Sequence, residues 1–250
     1  MTSLRKVAFV TGSGKRRIGN VIALEAARRG YDIALHFRSS KADAEETASE
    51  ISALGAQVDC FSADLEDSQQ TITLCREVAE RFGRVDLLAT CASIWEEQRL
   101  EDVTPEDLIR NFMVNTAATF LCCQHIGALM VSQPEGGSIV TFGDWAVERP
   151  YSNYAAYFAS KGSIEAMTRM FANELATRNP NVRVNCIHPG PAMVPESLGE
   201  KQRESIIRHS LVRRLGTPEA IARAVFHFAE NDYVTGTALA IDGGRTASNR

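Results

Sequence analysis

No two of the six cysteines, at 60, 75, 91, 122, 123 and 186, stand at CxxC spacing, and Cys122 and Cys123 are adjacent. Neither a zinc site nor a disulfide framework is suggested, and reduced, mostly buried thiols are predicted. The five histidines are scattered without metal-ligand spacing, so no metal site is expected. Basic charge is not in excess either. Lys and Arg number 27 against 31 Asp and Glu, for a formal net charge of −4. A nucleic-acid or anionic-membrane surface needs a basic surplus, so neither partner is expected. The local clusters KRR (15–17) and RHSLVRR (208–214) read as solvated faces. No apolar run approaches 18 residues, and the N-terminus runs into the strand-like KVAFVTG without a secretory leader. A cytoplasmic location is the expectation. Repeats, low-complexity segments and linkers are also missing.

What remains is an ordinary soluble composition, 44% apolar and 23% charged, over 250 residues. One domain, 1–250, is the default at this length. Seven short apolar or β-branched runs read as strands: 6–11, 32–37, 57–63, 85–90, 138–142, 182–187 and 238–242. Helical patterns lie between them, at 18–29, 41–54, 67–82, 105–131, 153–178 and 217–230. Continuous rather than alternating apolar strands imply coverage on both faces. Regular strand–helix alternation then gives an α/β fold with a parallel sheet flanked by helices. The longest stretch without periodicity is 189–202, and a substrate lid is expected around 190–213.

The stretch VAFVTGSGKRRIGNVIALEAARRG reads as strand, glycine-rich turn and helix. Gly12 and Gly14 permit a tight turn and close backbone approach. The helix beginning near Ile18 offers free N–H groups and a positive dipole end to a pyrophosphate. The second strand ends LHFRSSK, with His36, Phe37, Arg38 and Ser39 and no acid before Asp43. A free ribose 2′-hydroxyl is usually met there by Asp or Glu, whereas a 2′-phosphate needs a cation. Arg38 can fork onto a phosphate, and Arg17 can reach the same group. NADP(H) is the predicted cofactor.

Tyr157 and Lys161 lie four residues apart, which puts them on one face of a helix. With TGSGKRRIG, ADL (63–65), VN (114–115), YFASK, NPNVRVNCIHPG, RLGTPEAIARAV and YVTGTALAIDGG in order, nearly the whole chain resembles the short-chain dehydrogenase/reductase family. The resemblance implies a single Rossmann-type, doubly wound domain with a seven-stranded parallel sheet, hydride transfer from a nicotinamide, and a homotetramer through 105–131 and 153–178. It assigns catalysis to Tyr157, Lys161 and Asn115, the last through a relay water. Cofactor contacts fall on Gly12, Arg17, Ile18, Gly19, His36, Phe37, Arg38, Ser39, Asp64, Leu65, Cys91, Ala92, Ser93, Lys161, Pro189 and Gly190. Lys161 is expected to lower the Tyr157 pKa. Tyr154 is a rival proton donor, but it lies two turns from Lys161.

Three departures stand out. The glycine turn has one extra residue before Gly19, which leaves the family's position open between Arg16 and Arg17. The family's Asn-Asn-Ala-Gly reads TCAS here, with Thr90 and Cys91 for the asparagines. The catalytic serine falls on Asp144. An aspartate there resembles the pteridine reductase and dihydromonapterin or dihydrofolate reductase subgroup, which adds Ser93, Trp95, Asp144 and Tyr157 as substrate contacts and a pterin as substrate. The chemistry is consistent: a carboxyl can exchange a proton with a ring nitrogen, and a serine hydroxyl does so poorly. The alternatives are a general NADPH-dependent carbonyl reductase on 3-oxoacyl or sugar-derived ketones, and a non-catalytic NADP-binding protein. Met193 reads as lid packing, and Phe112, Phe120, Phe158 and Phe171 as core or interface.

Overall fold

The structure is a computed structural model in which residues 5–194 and 198–248 are described. Seven parallel strands carry the chain through the centre: β1 (Val7–Val10), β2 (Asp32–Phe37), β3 (Val58–Ser62), β4 (Leu87–Ala89), β5 (Gly137–Phe142), β6 (Val182–Pro189) and β7 (Ala238–Ile241). Their order is β3-β2-β1-β4-β5-β6-β7. The order reverses between β1 and β4, and the crevice at that switch point is where doubly wound sheets bind ligands. The central strands β1, β4 and β5 are almost wholly buried, as their unbroken apolar runs require. The outer strands β3 and β7 are only half covered, because each has a neighbour on one side.

The flanking helices are α1 (Ile18–Arg28), α2 (Lys41–Ala53), α3 (Ser68–Phe82), α4 (Pro105–Phe112), α5 (Ala118–Ser132), α6 (Ala155–Lys161), α7 (Ile164–Arg178), α8 (Glu200–His209) and α9 (Pro218–Glu230). They bury two apolar clusters, one on each face of the sheet. The first centres on Ile22, Leu35, Val225 and Phe226, the second on Phe9, Leu88, Ile126 and Phe171.

Three elements differ from the sequence expectation. The helix expected over 105–131 is interrupted by a π-turn at Met113–Ala117, and such one-turn insertions often present a functional side chain. From Pro105 to Ser132 this helix is long and apolar enough to cross a membrane, with mean hydropathy 1.3, but 56% of that window is buried in the core. The helix expected over 153–178 breaks at Gly162–Ser163, where the chain turns between α6 and α7. The aperiodic region after Pro189 is not loop throughout, since α8 forms within it; residues 195–197 of the expected lid lie outside the described residues.

Candidate active site

Helices α3, α4 and α9 start on side-chain caps. Asp67 accepts from the N–H of Gln69 and Gln70, Thr104 forms a capping box with Asp107, and Thr217 accepts from Ala220. Helix α1 is different. It begins after Arg17 with no side-chain cap and no acid in its first turn. The N–H groups of Ile18, Gly19 and Asn20 precede the first intrahelical bond, from Val21 to Arg17, and are left for a ligand. Above them the glycine turn admits no side chain. Gly12 has φ +64°, and a Cβ there would stand 2.9 Å from Ala92 Cα; a Cβ on Gly19 would stand 2.7 Å from Gly12 O. This close approach is what a dinucleotide pyrophosphate needs, so the residues fit the cofactor.

Arg16 points to α2, where it pairs with Glu46 and Glu50. Arg17 and, at the end of β2, Arg38 are exposed, and among the described residues neither side chain makes a hydrogen bond. Between the two, Arg17 is the arginine free for an anion. Ser39 and Phe37 flank Arg38, exposed and half-buried respectively.

His36 corrects an expectation. Its side chain faces inward, 2% exposed, and braces the turn rather than reaching a phosphate. Its Nδ1 accepts from Gly12 N at 3.0 Å while Nε2 lies 3.1 Å from Ala63 O, which fixes the neutral tautomer with the proton on Nε2. Burial lowers its pKa to about 4. Leu65 is likewise a core side chain, 6% exposed. Beside it, Asp64 Oδ1 accepts from Glu66 N at 3.1 Å. At the end of β4, Ala92 N donates to Thr11 Oγ1 at 3.0 Å, and burial pushes the Cys91 thiol up, which leaves it unreactive. Pro189 ends β6, and Gly190 packs against Asp242, where a Cβ would meet the backbone at 2.4 Å.

The structure brings Asp144, Tyr157, Lys161 and Asn115 together at the C-terminal ends of β4 and β5. Tyr157 Oη donates to Asp144 Oδ2 at 2.6 Å, and Asp144 Oδ1 accepts from Ala146 N at 2.7 Å. Burial raises the Asp144 pKa, against the opposing pull of Tyr157, Ala146, Lys161 and His188. Lys161 is 4% exposed, and its Nζ donates to Phe142 O at 2.8 Å. Burial lowers its pKa. The Tyr157 phenol moves the other way from expectation. Burial and the adjacent Asp144 carboxylate hold it well above the ordinary range, because Lys161 Nζ stands 6.0 Å from the ring centroid while the carboxylate touches the hydroxyl. Tyr157 is thus a stored proton. The π-turn carries Asn115, fully buried, whose amide joins three segments: Oδ1 accepts from Ser93 Oγ and Ile94 N, and Nδ2 donates to Ile94 O and Ser160 Oγ.

Trp95 is 47% exposed at the rim. One face of its indole stacks on Tyr154, with centroids 4.7 Å apart, and its Nε1 donates to Tyr151 Oη at 2.9 Å. Tyr154 is rim packing: it stands at the start of α6, stacked on Trp95, while Tyr157 faces the carboxylate. Sequence reasoning missed Tyr151, Trp145, His188 and Arg245. His188 Nδ1 lies 3.1 Å from Asp144 O, and its Nε2 lies 3.7 Å from Cys186 Sγ and 3.5 Å from Glu165. These neighbours, Cys186 first, raise the imidazole to about 9. The aromatic density of DWAVERPYSNY was the available signal for Trp145 and Tyr151.

A glycine turn and an uncapped helix start that fit a dinucleotide, beside a tyrosine, a lysine and a carboxyl, are the features of an NAD(P)-dependent oxidoreductase. The family profile described as enoyl-(acyl carrier protein) reductase matches residues 12–246. Versicolorin reductase 1 of Aspergillus parasiticus is 30% identical, covering 96% of this chain and 95% of its own. Among solved structures, an acetoin dehydrogenase from Enterobacter cloacae superposes with TM-score 0.89 at 30% identity, over 99% and 98% of the two chains. A blue fluorescent protein from a metagenomic library, in complex with NADPH, superposes with TM-score 0.87 at 34% identity, over 96% and 97%. The chain belongs to the short-chain dehydrogenase/reductase family.

Proposed function

We propose that the protein is an NADPH-dependent carbonyl reductase acting on planar, ring-bearing ketones. The buried hydrogen bond between Tyr157 and Asp144 carries this reading. Reduction of a carbonyl needs a proton on oxygen as hydride reaches carbon. A dinucleotide held at the glycine turn and α1 would supply the hydride. Tyr157 would supply the proton, and Asp144, whose pKa burial raises, would donate a second hydrogen bond whenever it carries its own proton, in the place where the family resemblance implies a serine hydroxyl. Lys161 keeps positive charge beside the developing oxyanion. Asn115 fixes the 93–94 loop against α6. The free guanidiniums of Arg17 and Arg38 and the absence of an acid after β2 favour NADPH over NADH, as does the likeness to a protein solved with NADPH. Carbonyl chemistry also agrees with relatives named for versicolorin and acetoin.

A second reading, reduction of a dihydropterin or dihydrofolate ring, is favoured by one observation: the group beside Tyr157 is a carboxyl with a raised pKa, able to protonate a ring nitrogen. The exposed face of Trp95 would then stack on the pterin. The single domain with α8 as its lid belongs to either reading. So does a homotetramer, for which Leu108, Ile109, Phe112 and Phe120 offer exposed apolar surface on α4 and α5.

NADPH oxidation measured against an aromatic ketone, diacetyl, acetoacetyl thioester, dihydrobiopterin, dihydromonapterin and dihydrofolate separates them. Fastest turnover of the ketones supports the first reading. Turnover of the pterins alone replaces it with the second.

A further inference from the structure

We propose that His188 is a positioning residue for Asp144, gripping its main-chain carbonyl and setting a positive charge beside it. The inference rests on the reductase reading, in which the Asp144 carboxyl works next to Tyr157, and adds the group that holds and tunes that carboxyl.

Asp144 leaves the sheet just after β5. Its carboxyl is held by Ala146 N on Oδ1 and by Tyr157 Oη on Oδ2. Its main-chain carbonyl accepts from Val147 N at 3.2 Å and lies 3.1 Å from His188 Nδ1. A carbonyl can only accept, so Nδ1 carries a proton and donates. The ring reaches across from β6, the neighbouring strand, and is seated without slack. A Cβ on Gly143, the residue before Asp144, would stand 2.7 Å from it. Glycine at 143 therefore lets the β6 side chain approach the turn that carries the carboxyl, and Gly143 N ties the same segments by donating to Ile187 O at 2.9 Å. Asp144 is held from both ends, its side chain by Tyr157 and its carbonyl by His188.

The far edge of the ring explains its charge. Nε2 lies 3.7 Å from Cys186 Sγ on β6 and 3.5 Å from Glu165 on α7. Cys186 first, then the Asp144 carbonyl and Glu165, raise the imidazole to about 9 against burial, so it is an imidazolium at neutral pH. The ring also lines a cleft of about 150 Å³ with Trp145, Glu148, Glu165 and Thr246, to which β7 contributes only the uncharged Ala238 and Ala240. That space has room for waters, so the charge forms beside solvent. Around Asp144 itself stand Tyr157 and Lys161 on α6 and Tyr151 in the loop before it, with Arg245 over Trp145. Lys161 and His188 are the two cations that favour the ionised Asp144 carboxyl. Lys161 belongs to the reacting group. His188 bonds Asp144 only at its main chain, so its effect on the reaction passes through that residue. Without the imidazolium, the carboxyl loses a charge that favours ionisation and keeps its proton to higher pH.

The test compares the unmodified protein with His188→Ala and with His188→Asn, whose amide N–H can take the place of Nδ1 without its charge. Two readouts are followed against pH: kcat/KM for an aromatic ketone, and the carboxyl resonance of Asp144 in NADP⁺-saturated protein carrying ¹³C-labelled aspartate, assigned by its loss in Asp144→Ser. On the plateau below the descending limb, His188→Ala should lose about tenfold, one charge-assisted bond, and His188→Asn should recover most of that loss. In both variants the limb and the resonance should titrate at higher pH than in the unmodified protein. If His188→Ala is unstable, the two titrations of His188→Asn decide. Titrations that stay in place, or move to lower pH, overturn the proposal. A lost plateau with unmoved titrations overturns it as well, by reducing His188 to packing. No turnover of any ketone, with the Asp144 resonance still moved to higher pH in His188→Asn, contradicts the ketone reading and supports the action of His188 on Asp144.

Discussion

Around the glycine turn, position is set by backbone. Gly12 and Gly19 leave no room for a Cβ, α1 starts uncapped, and His36 ties the turn to β2 and the end of β3 through both ring nitrogens. Around Asp144 and Trp95, position is set by side chains meeting side chains. Tyr157 holds Asp144, Tyr151 and Tyr154 hold Trp95, and Arg245 stacks on Trp145. Backbone geometry accepts few sequences, whereas a side-chain cluster can be rebuilt without disturbing the sheet.

The sharpest separation of the halves is Tyr157→Phe. The ring keeps its packing and loses the proton, so kcat should fall by about 10²–10⁴. NADPH affinity, measured by fluorescence titration, should be unchanged. Retention of most activity would shift the proton to Asp144 or Tyr154 and break the comparison.

Next in size is the pH response of the cofactor half. The folded His36 pKa of about 4 lies below the ordinary value of 6.5. The folded state therefore binds fewer protons than the unfolded chain in that interval, and stability is lost as pH falls through it. The loss should reach about 3 kcal/mol between pH 6.5 and 4, read by urea unfolding. His36→Asn should not show it. An identical loss in both proteins would mean that the ring does not brace the turn.

Much of the cofactor half was legible in the sequence, because glycines and helix starts report backbone requirements directly. The exception, His36, shows the limit: a strand residue points into the crevice or into the core according to register, and the sequence places it only next to Arg38. The substrate half was legible at Asp144, Tyr157, Lys161 and Asn115, and at Ser93 and Trp95 just after β4. Tyr151, His188 and Arg245 reach Asp144 and its neighbour Trp145 from three separate segments, and no local pattern announces such a meeting. The π-turn that carries Asn115 and the break at Gly162 were hidden by continuous helical periodicity.

Arg38→Asp sharpens the cofactor side further. It removes a phosphate contact of about 1.5–3 kcal/mol and adds an acceptor for a free 2′-hydroxyl, so the NADPH preference over NADH should drop at least about tenfold. Ratios of kcat/KM for the two cofactors check it, and equal use of both by the unmodified protein would remove the basis for NADPH. The smallest effect is expected at the rim. Trp95→Ala should raise KM for an aromatic ketone by a few-fold to about tenfold, from a stacking contribution of roughly 0.5–1.5 kcal/mol beyond area burial. KM for diacetyl should barely move.

The central claim is that Asp144 works as a protonated carboxyl beside Tyr157. It is tested most directly by the pH dependence of kcat/KM on an aromatic ketone in the unmodified enzyme and in Asp144→Ser. Burial raises the Asp144 pKa, so the unmodified enzyme should lose activity as pH rises through that value, when the carboxyl ionises and can no longer donate. A serine does not titrate there, and Asp144→Ser should lack that descending limb while keeping its activity on the ketone. The same limb in both proteins would contradict the claim and assign the titration to another group.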